Sequence, residues 1–511
     1  MTLRSRLLRR KSIESLQQDA ATNGLRKTLG PMNLLLLGIG CILGAGIYVM
    51  PGNAAAHYAG PAVILSFVLA GAACALTALC YAELASTMPA SGSAYTYAYA
   101  TLGEVFAWGL GWLLLLEYGL AAATLAVGFS GYLASLMRDF GVTIPPILST
   151  AMFAAPAGGG LMITHGVNLV AALAILVVTT VLTRGIGHSA MANNILVVVK
   201  LAVLAGFVAV GVGSVNPHNW TPFVPPSEGG FAFGWAGVLR ASSILFFAYV
   251  GFETVSTAAS ETRNPQRDLP IGILGSLAVC TILYIVVAAI LTGVVPFREL
   301  GVPDPIAVAV DRMGHPALAT LVKVGALMGL SSVLLVNGYG QTRVAFAMSR
   351  DGLLPAAFSR LSPTLRTPVF GTVVLGAMFA VVAALLPLTL LSDLMSIGVG
   401  LAFSIVAISL MWLRTIRPDM PRPFRVPLGG MRIGKVWVGV VPVGAVILCW
   451  VMILPVVIDI LGQAGRGRLA PAFILGTYGL IGAAVYVTYG LRASRVFRAE
   501  PAIDPAIDPA V

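Results

Sequence analysis

The sequence predicts an all-α polytopic membrane protein with about twelve transmembrane helices. Of the 511 residues, 58% are hydrophobic and only 10% are charged, whereas about 25% of the residues of a soluble globular protein carry charge. Apolar runs of about 20 residues, enough to span a bilayer as a helix, recur along the whole chain. They lie near residues 32–53, 61–87, 104–137, 165–184, 192–213, 237–260, 270–295, 318–348, 369–387, 391–413, 436–458 and 471–492. The third and eighth runs are longer than a bilayer requires, so these helices are expected to tilt or to extend beyond it.

The basic residues predict the orientation of the chain in the membrane. With the N-terminus inside, roughly 23 of the 31 Lys and Arg residues lie on the cytoplasmic side and about seven on the outer side. Because cytoplasmic loops carry the excess of Lys and Arg, both termini are predicted to be cytoplasmic in a protein integral to the plasma (inner) membrane. This distribution accounts for the net charge of +11 without nucleic acid as a partner.

Glycine interrupts the first and the sixth apolar runs. The first contains GIGCILGAGIYVMPG at residues 38–52, and the sixth contains SSILFFAYVGFETVSTAASE at residues 242–261. An interior Gly costs about 1 kcal/mol relative to Ala in a helix, which predicts that both helices break where their backbone faces a cavity. Paired breaks at equivalent places in two halves indicate the binding site of a membrane transporter for a small polar solute. For the first run alone, close packing of a Gly-rich helix on a neighbour is an equal alternative.

The two breaks divide a core, residues 32–413, into two halves of five spans each. Helices 1–5 occupy about residues 32–213, and helices 6–10 occupy about residues 237–413. Because five is an odd number, the second half enters the membrane from the opposite side. The core is therefore predicted to be a five-plus-five inverted repeat with broken helices 1 and 6.

Three further segments lie outside this core. Residues 1–31 form a basic cytoplasmic N-terminus, and residues 436–492 form two additional helices, 11 and 12. Residues 493–511 contain the repeat PAIDPAIDPA. Low-complexity composition of this kind predicts a disordered cytoplasmic tail.

Other classes of membrane protein have little support in the sequence. An intramembrane hydrolase needs a nucleophile with a base, or metal ligands, at membrane depth, but no His lies deep in a span and no HExxH motif occurs. The five cysteines lie in apolar runs without a CxxC and are expected to be buried thiols. A channel needs rings of selectivity groups, which paired broken helices do not favour. No enzyme activity, cofactor or metal site is predicted.

Four motifs resemble those of one group of membrane proteins. The stretch at residues 38–52 resembles the first-helix signature of the amino acid–polyamine–organocation superfamily, and CYAELASTMPASGSAYTYAYATLGE at residues 80–104 resembles its second-to-third-helix stretch. FFAYVGFETVSTAASETRNPQRDLP at residues 246–270 and RVAFAMSRDGLLP at residues 343–355 resemble the cationic amino acid transporter family within it. The resemblance covers spans 1 to 10 and implies the five-plus-five fold and secondary transport of amino acids.

The resemblance implies a site for a zwitterionic amino acid at the two breaks. Unwound N–H groups suit its carboxylate, and the matching positions are Gly44, Ala45 and Gly46. Relatives carry Ser or Thr where this chain has Ala45, so only the backbone contact carries over. The acceptors for the amino group are implied to be the backbone carbonyls of Ile42, Phe247, Ala248 and Val250. The alternative is an ordinary helix without ligand contact.

Lys200 is the one basic residue that belongs to neither side of the membrane. It falls about eight residues into the fifth span, roughly 12 Å deep, where a charged group is costly and marks a functional site. A lysine that can be charged or neutral there is a natural proton carrier. The resemblance implies the same role, because a lysine at this position is typical of proton-coupled members. The alternative, which can coexist with coupling, is a structural lysine bonded to carbonyls of the broken first helix.

Two further residues bear on the substrate side chain. Glu117 lies well inside the third span and could attract a cationic side chain, or could be protonated and simply pack. The resemblance places a residue that bounds the side-chain pocket near Ser331, where a small residue leaves room for a long side chain. Together they favour Arg, Lys or ornithine among the substrates, with small neutral amino acids such as alanine as the alternative. The Ser331 hydroxyl could instead bond to its own helix.

Four charged residues are candidates for a gate or polar network. Glu253 follows the second break and could close an inner gate, or could cap the second half of helix 6. Glu83, near the inner end of the second span, and Glu261 with Arg263, at the inner end of the sixth, have the placement of cytoplasmic gate ion pairs. Solvated interfacial charges are an equal alternative for these three.

The sequence thus predicts a secondary active L-amino acid transporter that works by alternating access, coupled to protons. The implied partners are the amino acid substrate, protons and the lipid bilayer. Exchange of one amino acid for another is the main rival to proton symport. The sequence leaves open whether a small single-span accessory subunit binds.

Overall fold

The apolar runs form helices throughout the computed structural model, which describes residues 9–13, 27–89, 92–154, 162–185, 190–365, 367–465 and 470–494. The predicted disordered tail lies outside these residues from position 495 onward, as does most of the predicted basic N-terminus. In the first half of the chain the elements are α1 (Pro31–Ile42), α2 (Ala45–Tyr48), α3 (Met50–Ala54), α4 (Val63–Thr87), α5 (Ser93–Thr101), α6 (Glu104–Asp139), α7 (Pro146–Ser149), β1 (Phe153–Ala154), β2 (Met162–Ile163), α8 (Leu169–Arg184) and α9 (Ala190–Gly213).

The second half continues the same architecture. Its elements are α10 (Gly234–Phe246), α11 (Pro265–Val294), α12 (Pro305–Arg312), α13 (Pro316–Arg350), α14 (Val369–Leu385), α15 (Leu388–Ile416), β3 (Gly430–Ile433), β4 (Val436–Gly439), α16 (Val440–Gly465), α17 (Ala470–Val485) and α18 (Leu491–Ala493). Short 3-10 helices lie at Gly60–Ala62, Pro217–Trp220, Phe247–Tyr249, Phe252–Glu261, Phe297–Leu300 and Ala356–Ser359, and π-helical turns at Ala55–Ala59 and Tyr486–Gly490. The two strand pairs are antiparallel and stay outside the helical bundle.

The helices account for the twelve predicted spans and confirm an all-α polytopic membrane fold. Among the described residues, nine helical stretches are long and apolar enough to cross a bilayer, and α1, α8 and α14 are shorter apolar helices. The predicted long third and eighth spans correspond to α6 and α13, which have 36 and 35 residues. The predicted domain boundaries and the cytoplasmic location of the termini stay predictions.

Proline starts several of these helices and so fixes their boundaries. Pro31, Pro265, Pro305 and Pro316 each stand in the first turn of a helix, where the missing N–H group costs no hydrogen bond. A helix without such a proline, α8, is capped by Asn168, whose Oδ1 accepts a hydrogen bond from the Ala171 N–H group at 3.0 Å. Proline residues and the Asn168 cap thus mark where these apolar helices begin.

The packing puts the two broken helices in the middle of the bundle. Helix α11 packs on both α1 and α4, while α6 packs on α13. The side chains between them form one continuous buried core. All five cysteines, Cys41, Cys74, Cys80, Cys280 and Cys449, are buried free thiols as predicted.

Candidate functional site

The first helix breaks at Leu43 and Gly44. The Gly44 N–H group bonds to the Ile42 carbonyl at 2.8 Å, two residues back, and the Gly44 carbonyl accepts the N–H groups of Ile47 and Tyr48, both at 3.2 Å. Among the described residues, the N–H groups of Ala45 and Gly46 donate no hydrogen bond. Two of the three predicted carboxylate positions therefore present unused donors.

The second helix breaks between Phe246 and Phe252. One 3-10 turn ends when the Val250 N–H group bonds to the Phe247 carbonyl at 2.9 Å. Gly251 then takes a φ of +129°, which an L side chain rarely adopts. The Glu253 side chain accepts the Gly251 N–H group at 2.8 Å, so Glu253 makes the predicted capping contact at this break.

The two breaks cross with their backbones in contact. A Cβ atom on Gly46 would lie 2.6 Å from the Ala248 carbonyl oxygen, and one on Gly251 would lie 2.7 Å from the Cys41 carbonyl carbon. Both distances are shorter than real Cβ atoms show, so each position requires glycine. The structure thus brings together the predicted donor segment around Gly46 and the predicted acceptor at Ala248.

Tyr284 of α11 bridges the breaks. Its hydroxyl group lies 2.8 Å from the Ile42 carbonyl oxygen and 2.7 Å from the Ala248 carbonyl oxygen. A phenol has one proton to donate, so the two carbonyls share it. The Val250 carbonyl, by contrast, accepts no hydrogen bond from the residues that the structure describes. Tyr284 was not predicted from the sequence, because its hydroxyl group is one of several in this span, together with those of Ser276 and Thr281.

Lys200 lies against the first break from the side of α9. Its Nζ atom donates to the Gly40 carbonyl at 3.0 Å and to the Leu43 carbonyl at 3.3 Å, and the residue is 2% exposed. Both carbonyls have lost the helical partner four residues ahead, because the Gly44 and Ile47 N–H groups bond elsewhere. The predicted structural contact of Lys200 is therefore present, and its coupling role stays a prediction.

Apolar side chains face Gly44. A Cβ atom at this position would lie 3.0 Å from Val333 of α13 and 3.1 Å from Leu125 of α6. Ser331 precedes Val333 by two residues, which turns it about 200° around the helix. Its hydroxyl group donates to the Leu327 carbonyl of its own helix at 2.7 Å. Val333 is therefore the α13 residue nearest to Gly44, and Ser331 makes the within-helix contact that was its predicted alternative.

Glu117 lies on the same helix as Leu125 but two turns earlier, about 12 Å away along the axis. It is fully buried, and neither carboxylate oxygen has a hydrogen-bond partner in the described part of the chain. It interacts electrostatically with Glu253, whose Oε1 atom also has no partner there. Glu117 and Glu253 thus form a polar cluster displaced from the apolar surroundings of Gly44.

Glu83 is the centre of an ion cluster. This fully buried carboxylate accepts the Arg414 Nε–H group at 2.7 Å and the Val426 N–H group at 2.7 Å, and the Arg422 guanidinium is 3.5 Å away. Arg414 also stacks on the Trp437 ring at 4.2 Å. The carboxylate therefore holds the segment between α15 and β3 against the end of α4, which is the kind of contact predicted for a gate.

Glu261 and Arg263 make their contacts through the main chain. The Glu261 carbonyl accepts the Thr28 and Leu29 N–H groups at 3.0 Å, and the Arg263 N–H group bonds to the Leu29 carbonyl at 2.9 Å. Both side chains are exposed, and within the described ranges they form no ion pair with each other. The predicted gate pair is absent from this conformation; both side chains are exposed, where solvent competes with an ion pair.

A second buried ion cluster lies at the opposite end of the bundle. The fully buried Arg240 of α10 donates to Asp393 at 2.7 Å and to Asp459 at 3.3 Å, and it lies 5.0 Å above the Tyr58 ring. The cluster connects the sixth, tenth and eleventh spans. From its position in the sequence, Arg240 was predicted only to be one of the basic residues on the outer side.

A bundle of apolar helices in which two broken helices cross at a buried polar centre defines a helical membrane transport protein. The chain belongs to the amino acid permease family, because the family model described as "Amino acid permease" matches residues 29–480. The predicted membership of the amino acid–polyamine–organocation superfamily is confirmed. The family is one of transporters, and amino acid transport is its general activity.

Curated relatives span nearly the same length. A methylthioribose transporter of Bacillus subtilis (strain 168) is 42% identical over 449 residues, covering 88% of this chain and 92% of the relative. A branched-chain amino acid permease of the same organism is 43% identical over 456 residues, covering 88% and 93%. A vacuolar cationic amino acid transporter of Arabidopsis thaliana is 38% identical over 415 residues, covering 81% and 68%. The most similar of these relatives thus differ in the substrates that their names state.

Proposed function

We propose that this protein is a secondary active L-amino acid transporter that works by alternating access and is coupled to protons. The observation that carries the proposal is the crossing of the two breaks. Unused N–H groups at Ala45 and Gly46 belong to the segment that lies against the Ala248 carbonyl group. A zwitterion needs a donor set and an acceptor set within a few ångströms, and this crossing supplies both.

The preferred substrates have a neutral, apolar side chain. Val333 and Leu125 are the side chains nearest to Gly44, so a substrate whose carboxylate is held at Ala45 and Gly46 has apolar neighbours for its side chain. The branched-chain amino acid permease among the relatives supports the same class. A larger aliphatic side chain than that of alanine gains more from this environment, because stabilisation grows with the apolar area buried.

Cationic amino acids are the second candidate. The observation in their favour is Glu117, whose two buried oxygens accept no hydrogen bond within the described part of the chain. A long cationic side chain that reached this carboxylate would satisfy it. The distance of about 12 Å along α6 between Glu117 and Leu125 weighs against simultaneous contact with both regions, which is why this candidate ranks second.

Proton coupling is assigned to Lys200. In its charged form the ammonium donates to the Gly40 and Leu43 carbonyls and so holds the first break in the observed geometry. Loss of one proton leaves a neutral amine, and the carbonyls then face a group with fewer donors and no charge. Protonation at Nζ would thereby change the stability of the broken helix on which the substrate sits.

Uptake into proteoliposomes tests substrate and coupling together. We expect an inward proton gradient to drive accumulation of leucine more strongly than that of arginine. Lys200→Met should abolish the gradient-driven part, while Lys27→Met, which removes an exposed lysine, should keep it. Wild-type accumulation by the Lys200→Met variant would contradict the coupling role.

Two further measurements separate the alternatives. If arginine is taken up and Glu117→Gln removes that uptake but keeps leucine uptake, the cationic candidate replaces the neutral one. If uptake requires amino acid inside the vesicles and ignores the proton gradient, the protein is an exchanger. Unitary currents would contradict the whole transporter class.

A further inference from the structure

A groove of about 680 Å³ runs along the outside of α11 near its first turns. Its walls are Gln266, Arg267, Pro270, Ile271, Leu274 and Gly275 of α11 together with Pro423 and Phe424 of the segment between α15 and β3. It lies at the end of the bundle that the basic loops mark as cytoplasmic. Nothing in the proposed amino acid site uses it, so the inference drawn from it goes beyond the proposed function.

The spacing of the lining residues gives the groove a direction. The α11 positions recur at four-residue intervals, which places them on one face of the helix. Arg267 and Gln266 lie at the first turn, whereas Leu274 and Gly275 lie about 12 Å further along the axis, within the predicted span. The groove is therefore polar at the membrane surface and apolar towards the bilayer interior.

The apolar part faces the lipid phase. Ile271 is 42% exposed, and Gly275 has no side chain to fill the space beside Leu274. Phe424 and Pro423 close the opposite wall. A flexible hydrocarbon chain fits such a wall better than a polar ligand does, because it buries apolar surface without leaving hydrogen bonds unmade.

The polar end carries a surplus of positive charge. Arg267 is exposed, as are Arg263 one turn earlier and Arg425 next to Phe424. Within the described ranges none of the three forms an ion pair with an acidic residue. The acidic residues close in sequence are Glu261 and Asp419, which are exposed, and Asp268, which is buried. Unpaired arginines at a membrane surface favour an anionic headgroup.

We propose that this groove is a binding site for an anionic phospholipid. The phosphate and headgroup lie at Arg267, and one acyl chain follows Ile271 and Leu274 to the space at Gly275. A soluble anion would use the arginine but not the apolar wall, and an uncharged sterol would use the wall but not the arginine. Both halves of the groove are used only by a molecule that has an anionic head and a hydrocarbon tail.

Thermal unfolding of the purified full-length protein in detergent tests the site. Phosphatidylglycerol and phosphatidylcholine with the same acyl chains are added in parallel. We expect phosphatidylglycerol to raise the Tm by about 4 °C more than phosphatidylcholine does, as ligands that bind only the folded state stabilise it. Arg267→Gln and Leu274→Trp, which fills the groove, should each remove this difference.

Arg360→Gln provides the matched control, because it removes an exposed arginine from the predicted cytoplasmic side, away from the groove. It should keep the full difference between the two lipids. Equal stabilisation of the wild type by both lipids, or a wild-type difference in Arg267→Gln, overturns the proposal. Arg267 is at the surface, so this variant remains informative even if Leu274→Trp does not fold. Leucine uptake, measured separately, reports on the amino acid site and not on the groove.

Discussion

Gly46 lies so close to Ala248 that one added methyl group at Gly46 would stand 2.6 Å from the Ala248 carbonyl oxygen. This contact joins two segments that are 202 residues apart in the chain. It explains why the first broken helix needs glycine there for reasons of space, and it places the unused N–H groups of one break next to a carbonyl group of the other.

Gly46→Ala is expected to abolish substrate binding. The new methyl group would collide with backbone, which cannot turn away as a side chain can, so the crossing must open. Binding is read as the increase in Tm on addition of the transported amino acid. Gly109→Ala is the control, because a Cβ atom there meets nothing within 4 Å and alanine favours a helix by about 1 kcal/mol. Substrate-induced stabilisation of the Gly46→Ala variant would contradict the role of this crossing.

Tyr284→Phe is expected to lower the Tm of the substrate-free protein and to enlarge the increase caused by substrate. Loss of the hydroxyl group leaves the Ala248 carbonyl buried without its donor, at a cost of about 1–3 kcal/mol, while the Ile42 carbonyl keeps only the Gly44 N–H group. A substrate ammonium would then satisfy them without having to displace the phenol. The same thermal unfolding measurement reports both quantities.

Tyr249→Phe is the matched control for Tyr284→Phe. Tyr249 also donates to a buried carbonyl, that of Phe67 at 2.9 Å, but not at Ile42 or Ala248. The Tyr249→Phe variant should lower the Tm of the substrate-free protein without enlarging the increase in Tm that substrate causes. An unchanged or smaller substrate effect in Tyr284→Phe would show that the phenol does not compete for these carbonyls.

Asp393→Asn is expected to destabilise the protein by about 3 kcal/mol, because it leaves the buried Arg240 with only its weaker partner, Asp459. Adding Arg240→Met should recover part of the loss, since no unpaired charge then remains buried. Thermal unfolding of the wild type, the two single variants and the double variant gives a double-mutant cycle. Glu228→Gln, at the exposed pair with Arg298, should cost less than about 1 kcal/mol. Purely additive losses would argue against a buried pair.

Asp304, in the connection before α12, should make the stability of the protein depend on pH. Burial raises the pKa of this carboxyl group to about 6, against the effects of a hydrogen bond from Ser135 and the charges of Arg138 and Lys323. The folded protein therefore binds a proton more tightly than the unfolded chain. This contribution to stability is present below about pH 4 and is lost as the pH rises through about 6.

Comparison of the Tm at about pH 4.5 with the Tm at about pH 7 checks this contribution. Asp304→Asn should reduce the difference in Tm between the two conditions. Glu299→Gln, which alters an exposed pair with Arg312, should leave the difference unchanged. An identical pH dependence in wild type and Asp304→Asn would exclude Asp304 as its source.

The breaks were predictable because glycine inside an apolar helix has a physical cost that the sequence displays directly. Lys200 was predictable for the same reason, as a charge inside an apolar run. Its contact with the Gly40 and Leu43 carbonyls also follows the expected structural role. Glycine residues inside a helix and a charged residue inside an apolar run therefore indicate the site without knowledge of the fold.

The inward faces of the helices were not predictable in the same way. Val333 stands among other apolar residues of α13, and Tyr284 is one of several hydroxyl residues of α11, so neither could be distinguished from its neighbours by sequence. Ser331 drew attention as a polar residue, but its hydroxyl group bonds within its own helix. Glu261 and Arg263 are near in sequence, yet main-chain pairing with residues 28–29 sets where each one lies.

Tyr284 and the two glycine crossings have a mechanical consequence. The first and sixth helices touch at Gly46 and at Gly251, and one phenol group from α11 holds a carbonyl of each. Separating the first helix from the sixth would leave backbone groups of both helices without these contacts. In the proposed alternating-access cycle, the two broken helices and α11 are therefore expected to rotate together as one rigid body.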